Sequence, residues 1–339
     1  MLCTPAKTAN GKYDDGNNAG VIVGYISGES KSLVSGNTVD NCTVTAYRTV
    51  GAVAGRANSG TTVEGNTITN TDVVANRQLD AAYVEYKEVE ADKVVGSVIN
   101  STVGENVAGD DVTVTILKSL VDINKETSEG GDVTLPGDTE GNAEQSSGYG
   151  AAGFVVDNGA VFDGNGKVLT VNDANSTWDC GIAAKWGTIK NVTINGSFRG
   201  IFMPGANGDV IIDNVVLDDV CYTFNSDAGN KDYEVKISNS TLNGWTSYSD
   251  VHKVVTFTNC KFGKGTGGYK YAFCRPYAPS VFENCEFAAG YEFDTTRQTS
   301  IVFKNCIYNG EKITAENAAS LKSGETVFFS DGVGSVTFE

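Results

Sequence analysis

The sequence predicts an all-β chain wound as a right-handed parallel β-helix, a β-solenoid with coils of about 20–25 residues and asparagine corners. One phrase carries the prediction: V-T-F-T-N-C-K-F at 255–262, S-V-F-E-N-C-E-F at 280–287 and I-V-F-K-N-C-I-Y at 301–308. Its asparagine recurs as Asn191, Asn214, Asn239, Asn259, Asn284 and Asn305, at spacings of 23, 25, 20, 25 and 21 residues. Two before it stand Ile189, Ile212, Ile237, Phe257, Phe282 and Phe303; three after it stand Ile194, Leu217, Leu242, Phe262, Phe287 and Tyr308. Apolar alternation on both sides of one polar residue describes two strands meeting at a tight bend, and asparagine tolerates the left-handed backbone such a bend needs. Coils stacked ~4.8 Å apart would align these amides in a ladder. The handedness follows from the general preference of parallel crossovers.

The position after the corner holds Val192, Val215, Ser240, Cys260, Cys285 and Cys306, small side chains expected to point inward. A column that accepts valine and serine as readily as cysteine reads as buried thiols, so the eight cysteines say little about compartment. Glycine is abundant at 40 residues, proline scarce at 5, and no long helical periodicity appears. The formal charge of −17 opposes nucleic acid and anionic membrane surfaces as partners, and polyanionic sugars unless calcium bridges them. No stretch approaches the ~20 apolar residues of a membrane span. The N-terminus has neither a basic start nor an apolar core, so no signal peptide is read there. The chain is then expected to be either cytoplasmic or a processed or truncated form, and truncation is favoured because residue 20 already lies inside a repeat.

In chain order, three segments are expected: repeats over 1–117, a cap and linker over 118–150, and the main β-helix over 151–339. In the first, G-V-I-V-G-Y at 20–25 and G-A-V-A-G-R at 51–56 share a spacing, with K-V-V-G-S at 93–97 as a weaker copy. N-T-V-D-N-C-T-V at 37–44 and T-T-V-E-G-N-T-I at 61–68 follow, aligned so that Gly65 stands opposite Asn41. This arrangement resembles the GLUG-motif repeats of bacterial surface proteins over roughly 19–116. The resemblance implies a β-solenoid on an exported protein, and no catalytic residue defines that motif. Residues 73–92 are expected to leave the solenoid as a loop or hairpin. I-L-K-S-L-V-D-I-N at 116–124 reads as a short capping helix, and the polar stretch 125–150 as a flexible connection.

The second solenoid opens with G-G-D-V-T-L-P-G at 130–137 and A-V-F-D-G-N-G-K-V-L-T-V at 160–171. With the asparagine corners, these coils resemble the right-handed parallel β-helix proteins of the pectate-lyase-like superfamily over 130–339. That resemblance implies the fold and leaves the chemistry open, since the superfamily holds lyases, hydrolases, epimerases, tail proteins and adhesins. At the far end, 311–322 is expected to fold over the last coil, unless a segment beyond Glu339 does so.

Sugar-cleaving β-helices resemble one another in working on one long parallel sheet. Its counterparts here are expected at 180–186, 200–204, 222–227, 245–250, 272–277 and 291–297. The ends of these strands carry Lys185, Trp186, Asn225, Asp227, Tyr248, Asp250, Arg275, Tyr277, Asp294 and Arg297. Sharing one face, these would offer rings to stack on sugars and polar tips for hydroxyls. The rival is an ordinary solvated sheet face. A hydrolase needs two carboxylates across a glycosidic bond. Asp218 and Asp219 are adjacent, as in one motif of polygalacturonase-type hydrolases, but that family's glycine-flanked histidine is missing and the single histidine, His252, lacks its surroundings. A lyase would need Arg275 as base beside calcium-holding Asp227, Asp250 and Asp294. The expectation is therefore a cell-surface or extracellular adhesin-like module that binds a glycan or a surface protein without catalysis and without cofactor. The alternative is a carbohydrate-active enzyme, lyase before hydrolase, with calcium required only in the lyase case.

Overall fold

In the computed structural model, residues 18–27, 31–77, 90–172, 176–296 and 299–339 are described. The chain divides into two compact units, Met1–Ser119 and Leu120–Glu339. Both are built from parallel strands that pair with strands one repeat away.

The first unit stacks three repeats. Asn18–Gly20, Thr49–Gly51 and Glu90–Asp92 form one sheet, and Val23–Ile26, Ala54–Asn58 and Val95–Ile99 a second. Leu33–Ser35, Thr62–Glu64 and Thr102–Val103 form a third; Thr38–Ala46 and Thr67–Asn76 lie in a fourth with Val107–Ala108 and Thr113–Leu117. The glycine repeats have a steric cause: a Cβ on Gly55 would come within 2.5 Å of the Ala19 nitrogen, and one on Gly96 within 2.5 Å of the Val50 nitrogen. The backbones of the first two sheets touch, and no side chain fits between them.

Asparagines appear here where the sequence alignment did not place them. Asn41 stands opposite Asn70, since Asp40 pairs with Thr69 and Cys42 with Thr71. Gly65 instead neighbours Gly36, beside the Ser35–Glu64 pair. Each repeat carries two similar phrases with left-handed corners (φ 51° at Asn41, 45° at Asn70, 71° at Gly36, 66° at Gly65), and the alignment matched one phrase to the other. Asn37, Asn66 and Asn106 form an amide ladder, each Nδ2 donating to the next Oδ1 at 2.8 Å. The insertion expected over 73–92 is narrower, because 73–76 continue a strand and 90–92 form another; residues 78–89 lie outside the described residues.

In the second unit most strands fall into three parallel rows, with Gln145–Ser146 and Glu311–Lys312 pairing antiparallel at the edges. Row A, before the corners, runs through Ile189, Ile212, Ile237, Phe257, Phe282 and Phe303 to Phe338, all in register. Row B, after the corners, pairs Ile194, Leu217, Leu242, Phe262, Phe287 and Tyr308 in the same way. All twelve residues flanking the corners are buried. Phe257 stacks on Phe282 with centroids 4.8 Å apart and planes 6° apart, and Phe262 on Phe287 at 4.7 Å and 11°. The six corner asparagines have φ between 51° and 55°. Asn214 donates to Asn191 at 2.9 Å, Asn259 to Asn239 at 3.2 Å and Asn305 to Asn284 at 2.9 Å, while Asn239 turns instead to Asp213 at 2.7 Å. Cys260, Cys285 and Cys306 are buried free thiols, and hydrogen bonding with the Cys260 and Cys306 sulfurs, together with burial, pushes the Cys285 thiol far above its ordinary pKa.

Row C is a sheet of eight strands: Gln145–Ser146, Ala151–Val156, Cys180–Ala184, Arg199–Met203, Tyr222–Ser226, Trp245–Tyr248, Phe273–Pro276 and Glu292–Phe293. Every strand expected for this sheet from 180 onward is present. The expected linker differs. Its helix spans Leu120–Thr127 with Leu120, Ile123 and Thr127 buried, and Val133–Thr134 and Thr139–Asn142 already pair in parallel with Ala160–Asn172. The polar sequence hides these strands because Asp132 and Asp138 accept hydrogen bonds from the Val161 and Val168 amides, supplying acceptors that a polar segment does not advertise as strand. At the other end Ile313, Ala318 and Leu321 of the segment expected to cover the last coil, 311–322, join the core, and Phe328 and Phe329 beyond it join them.

The corner predicts its own test. Asn259→Ala should lose about 1–2 kcal/mol for the left-handed backbone in addition to its amide hydrogen bond, whereas Asn259→Gly should lose only the latter. Equilibrium urea unfolding of the two variants measures the difference; equal destabilisation would contradict a backbone role.

Candidate functional site

The residues of row C that do not enter the core fall into two columns, lined up by the parallel register. One outward column runs Cys180, Arg199, Tyr222, Trp245, Phe273 and Glu292. A second runs Ala183, Phe202, Asn225, Ser247 and Arg275, with Asp294 next because its amide donates to the Cys274 carbonyl at 2.9 Å. A bulge between Tyr222 and Asn225 lets both face outward while Phe224 enters the core.

These columns bring rings and arginines together. Tyr222 stacks on Trp245 at 4.7 Å, and Trp245 also meets Tyr271 at 5.5 Å and Phe273 at 5.7 Å. The Arg199 guanidinium lies 4.3 Å from the Trp178 ring, 5.0 Å from Phe202 and 4.8 Å from Tyr222. Its Nε donates to the Thr177 carbonyl at 2.8 Å and it faces Asp227 at 3.5 Å. Burial pulls its pKa below the ordinary arginine value, against the opposing pull of Asp227. Arg275 repeats the arrangement further along: it lies 5.2 Å from Trp245 and 5.3 Å from Phe273, with Nε donating to Asp294 at 3.1 Å. Asp294 is buried, and its other oxygen accepts from the Thr296 amide and hydroxyl at 2.8 and 2.5 Å.

Of the residues expected at the site, Asn225, Arg275 and Asp294 share the outward face, and Asp227 joins it through Arg199. Asn225 donates to the Ser247 carbonyl at 2.9 Å. Tyr248 is a correction: it is buried in the core with its hydroxyl 2.8 Å from Ser280 Oγ, because alternation counted from Trp245 turns it inward. Asp250 is tied to Lys231 at 2.9 Å beyond the strand end. Trp186 packs against the turns at Gly159 and Gly208, Lys185 precedes it in the same connection, and Tyr277 follows the Phe273–Pro276 strand. Arg297 lies outside the described residues. Sequence reasoning missed Arg199, Tyr222, Trp245, Trp178 and Tyr271. Tyr222 and Trp245 begin their strands at a 23-residue interval, the signal in the sequence that marks them.

Asp218 and Asp219 also have a place. Asp218 accepts from Asn243 Nδ2 at 3.1 Å, from the Thr266 amide at 3.2 Å and from the Thr266 hydroxyl, and Asp219 accepts from the Gly268 amide at 3.2 Å. Together they anchor the loop 264–272, which carries Lys264, Lys270 and Tyr271 to the edge of row C. Trp245, Phe273, Arg275 and Glu292 complete with them a groove of about 360 Å3. His252 is buried, with Nε2 2.6 Å from Ser226 Oγ, and burial pushes its pKa down to about 4.

With this geometry in hand, comparison with known proteins adds no relative: no family model, no curated protein and no solved structure matches the chain.

Two outcomes follow. His252 has a folded pKa below its unfolded value of 6.5, so its contribution to stability is complete above about pH 6.5 and is lost as pH falls toward about 4, by about 3 kcal/mol in all. Urea unfolding across that range should show the loss in the native chain and its absence in His252→Gln. A Cβ on Gly267 would collide with the Asp219 carboxylate; Gly267→Ala should therefore speed tryptic cleavage at Lys264 and Lys270, read by mass spectrometry, with little change in thermal midpoint.

Proposed function

We propose that the second unit is a parallel β-solenoid, wound right-handed, whose row C face binds glycan, and that the protein is an exported, surface-exposed adhesin-like binder that performs no catalysis. The observation that carries this reading is the outward column Arg199, Tyr222, Trp245 and Phe273, one residue per successive strand, flanked by Trp178 and Tyr271. Trp178 and Tyr271 are 38% and 48% exposed, enough to offer ring surface to a sugar, while Arg275 supplies donors beside Tyr271 and the buried Arg199 holds Trp178 and Tyr222 in place. The GLUG-like repeats and the pectate-lyase-like coils belong to the same proposal, as does the extracellular location. The three aspartates of the lyase alternative favour binding: Asp227 is occupied by Arg199, Asp250 by Lys231 and Asp294 by Arg275. Each has its own cation, and nothing in that pairing leaves a shared set of carboxylates for one calcium ion.

The test joins binding to turnover. Screening the chain against a glycan array, alongside reducing-sugar and unsaturated-product assays on polysaccharides with and without calcium, should give binding that weakens at least about tenfold in Trp245→Ala, with no product. Turnover on any polysaccharide would replace the binder with the enzyme.

A further inference from the structure

The groove beside Trp245 is charged against the sign of the whole chain. Lys264, Lys270 and Arg275 line it and Glu292 is its only carboxylate among the described residues, in a protein with a formal charge of −17. Neither lysine is in an ion pair among the described residues. Arg275 is held in place from behind: Nε is fixed by the buried Asp294, whose second oxygen is taken up by Thr296, and the guanidinium carbon lies over Trp245 and Phe273. The terminal nitrogens of Arg275 have no hydrogen-bond partner among the described residues, so its fork is oriented and available. Tyr271, 48% exposed, forms an aromatic wall.

We infer that this groove takes a single oxyanion-bearing sugar residue within an otherwise neutral glycan, the carboxylate or sulfate meeting Arg275 and the two lysines while the ring lies against Tyr271. The inference rests on the glycan-face reading above and narrows it. Size agrees: about 360 Å3 is near the lower end of small-molecule sites, room for one residue with its neighbours running out along the sheet. Electrostatics select an isolated acid over a polyanion. Screening in physiological salt confines each charge to a range of ~8 Å, so one acidic residue feels the local cations, whereas a polymer of them extends onto a surface of the opposite balance.

The experiment uses the full chain and a glycan array of matched sets: a neutral oligosaccharide, the same backbone bearing one uronate, the same backbone bearing one sulfate ester, and a polyuronate of equal length. The expected result is binding of a singly charged member at least about tenfold tighter than its neutral parent, with the advantage lost in Lys264→Ala/Lys270→Ala and in Arg275→Gln. The two lysines are exposed, so the double variant should keep the native thermal midpoint even if Arg275→Gln does not. Which singly charged member binds identifies the oxyanion. Equal binding of the neutral parent would overturn this inference and leave the glycan face standing. Tighter binding of the polyuronate would overturn the preference for an isolated acid. Binding of no glycan at all would overturn both this inference and the reading beneath it.

Discussion

Between row A and row B the chain turns through one residue in left-handed conformation, and the inward positions change parity there. Before Asn259 the buried residue is Phe257, two back; after it the buried residues are Cys260 and Phe262, one and three on. Without the turn, simple alternation would keep Asn259 itself on the buried side and send Cys260 and Phe262 to solvent. Asparagine can hold φ near 55° at low cost, and its amide reaches the corner of the neighbouring repeat. Register and burial thus depend on the same residue. A slip of one position would expose an entire stack of phenylalanine rings, which is why parallel pairing persists from Phe162 to Phe338.

The same regularity determines where function can sit. Row A and row B use their inward faces for the core and pass through one-residue corners that asparagine occupies. Row C has longer connections at its edges, and the groove comes from one of them. Asp218 and Asp219, which stand just after the Val210–Leu217 strand, reach loop 264–272 two repeats later and hold it over the sheet. A scaffold of low individuality presents a loop of high individuality, and the proposed binding groove lies where stacking no longer dictates the residue type.

What could be read from the sequence follows this division. The corner asparagines, the inward columns and the strands of row C were legible because each repeats, and a repeat can be recognised without knowing any single contact. Asn41 was matched to Gly65 because two similar phrases lie within each early repeat, and only hydrogen-bonded register distinguishes them. A strand end does not fix a face: plain alternation from Trp245 turns Tyr248 inward, and the sequence alone does not show which residue begins the count. The strands at Val133–Thr134 and Thr139–Asn142 were hidden by polar residues whose side chains serve as backbone acceptors. Lys264 and Lys270 carried no signal, since their meeting with Arg275 depends on a tether from Asp218 and Asp219 more than 40 residues away.

Charge distribution bears on the choice between binding and catalysis. A catalytic pair of carboxylates must differ in environment, one raised toward neutrality to act as acid and the other kept ionised. On row C the acids instead sit with cations, Asp227 with Arg199 and Asp294 with Arg275, and each cation is in turn pressed against rings. Such pairing keeps both guanidinium groups oriented, which suits recognition of a fixed shape. The partly buried Arg199 pair rigidifies one stretch of the face, and the more open Arg275 pair leaves a fork toward solvent. One element, an arginine between an aspartate and an aromatic ring, is thus used twice on the same sheet: once to close the surface and once to leave it receptive.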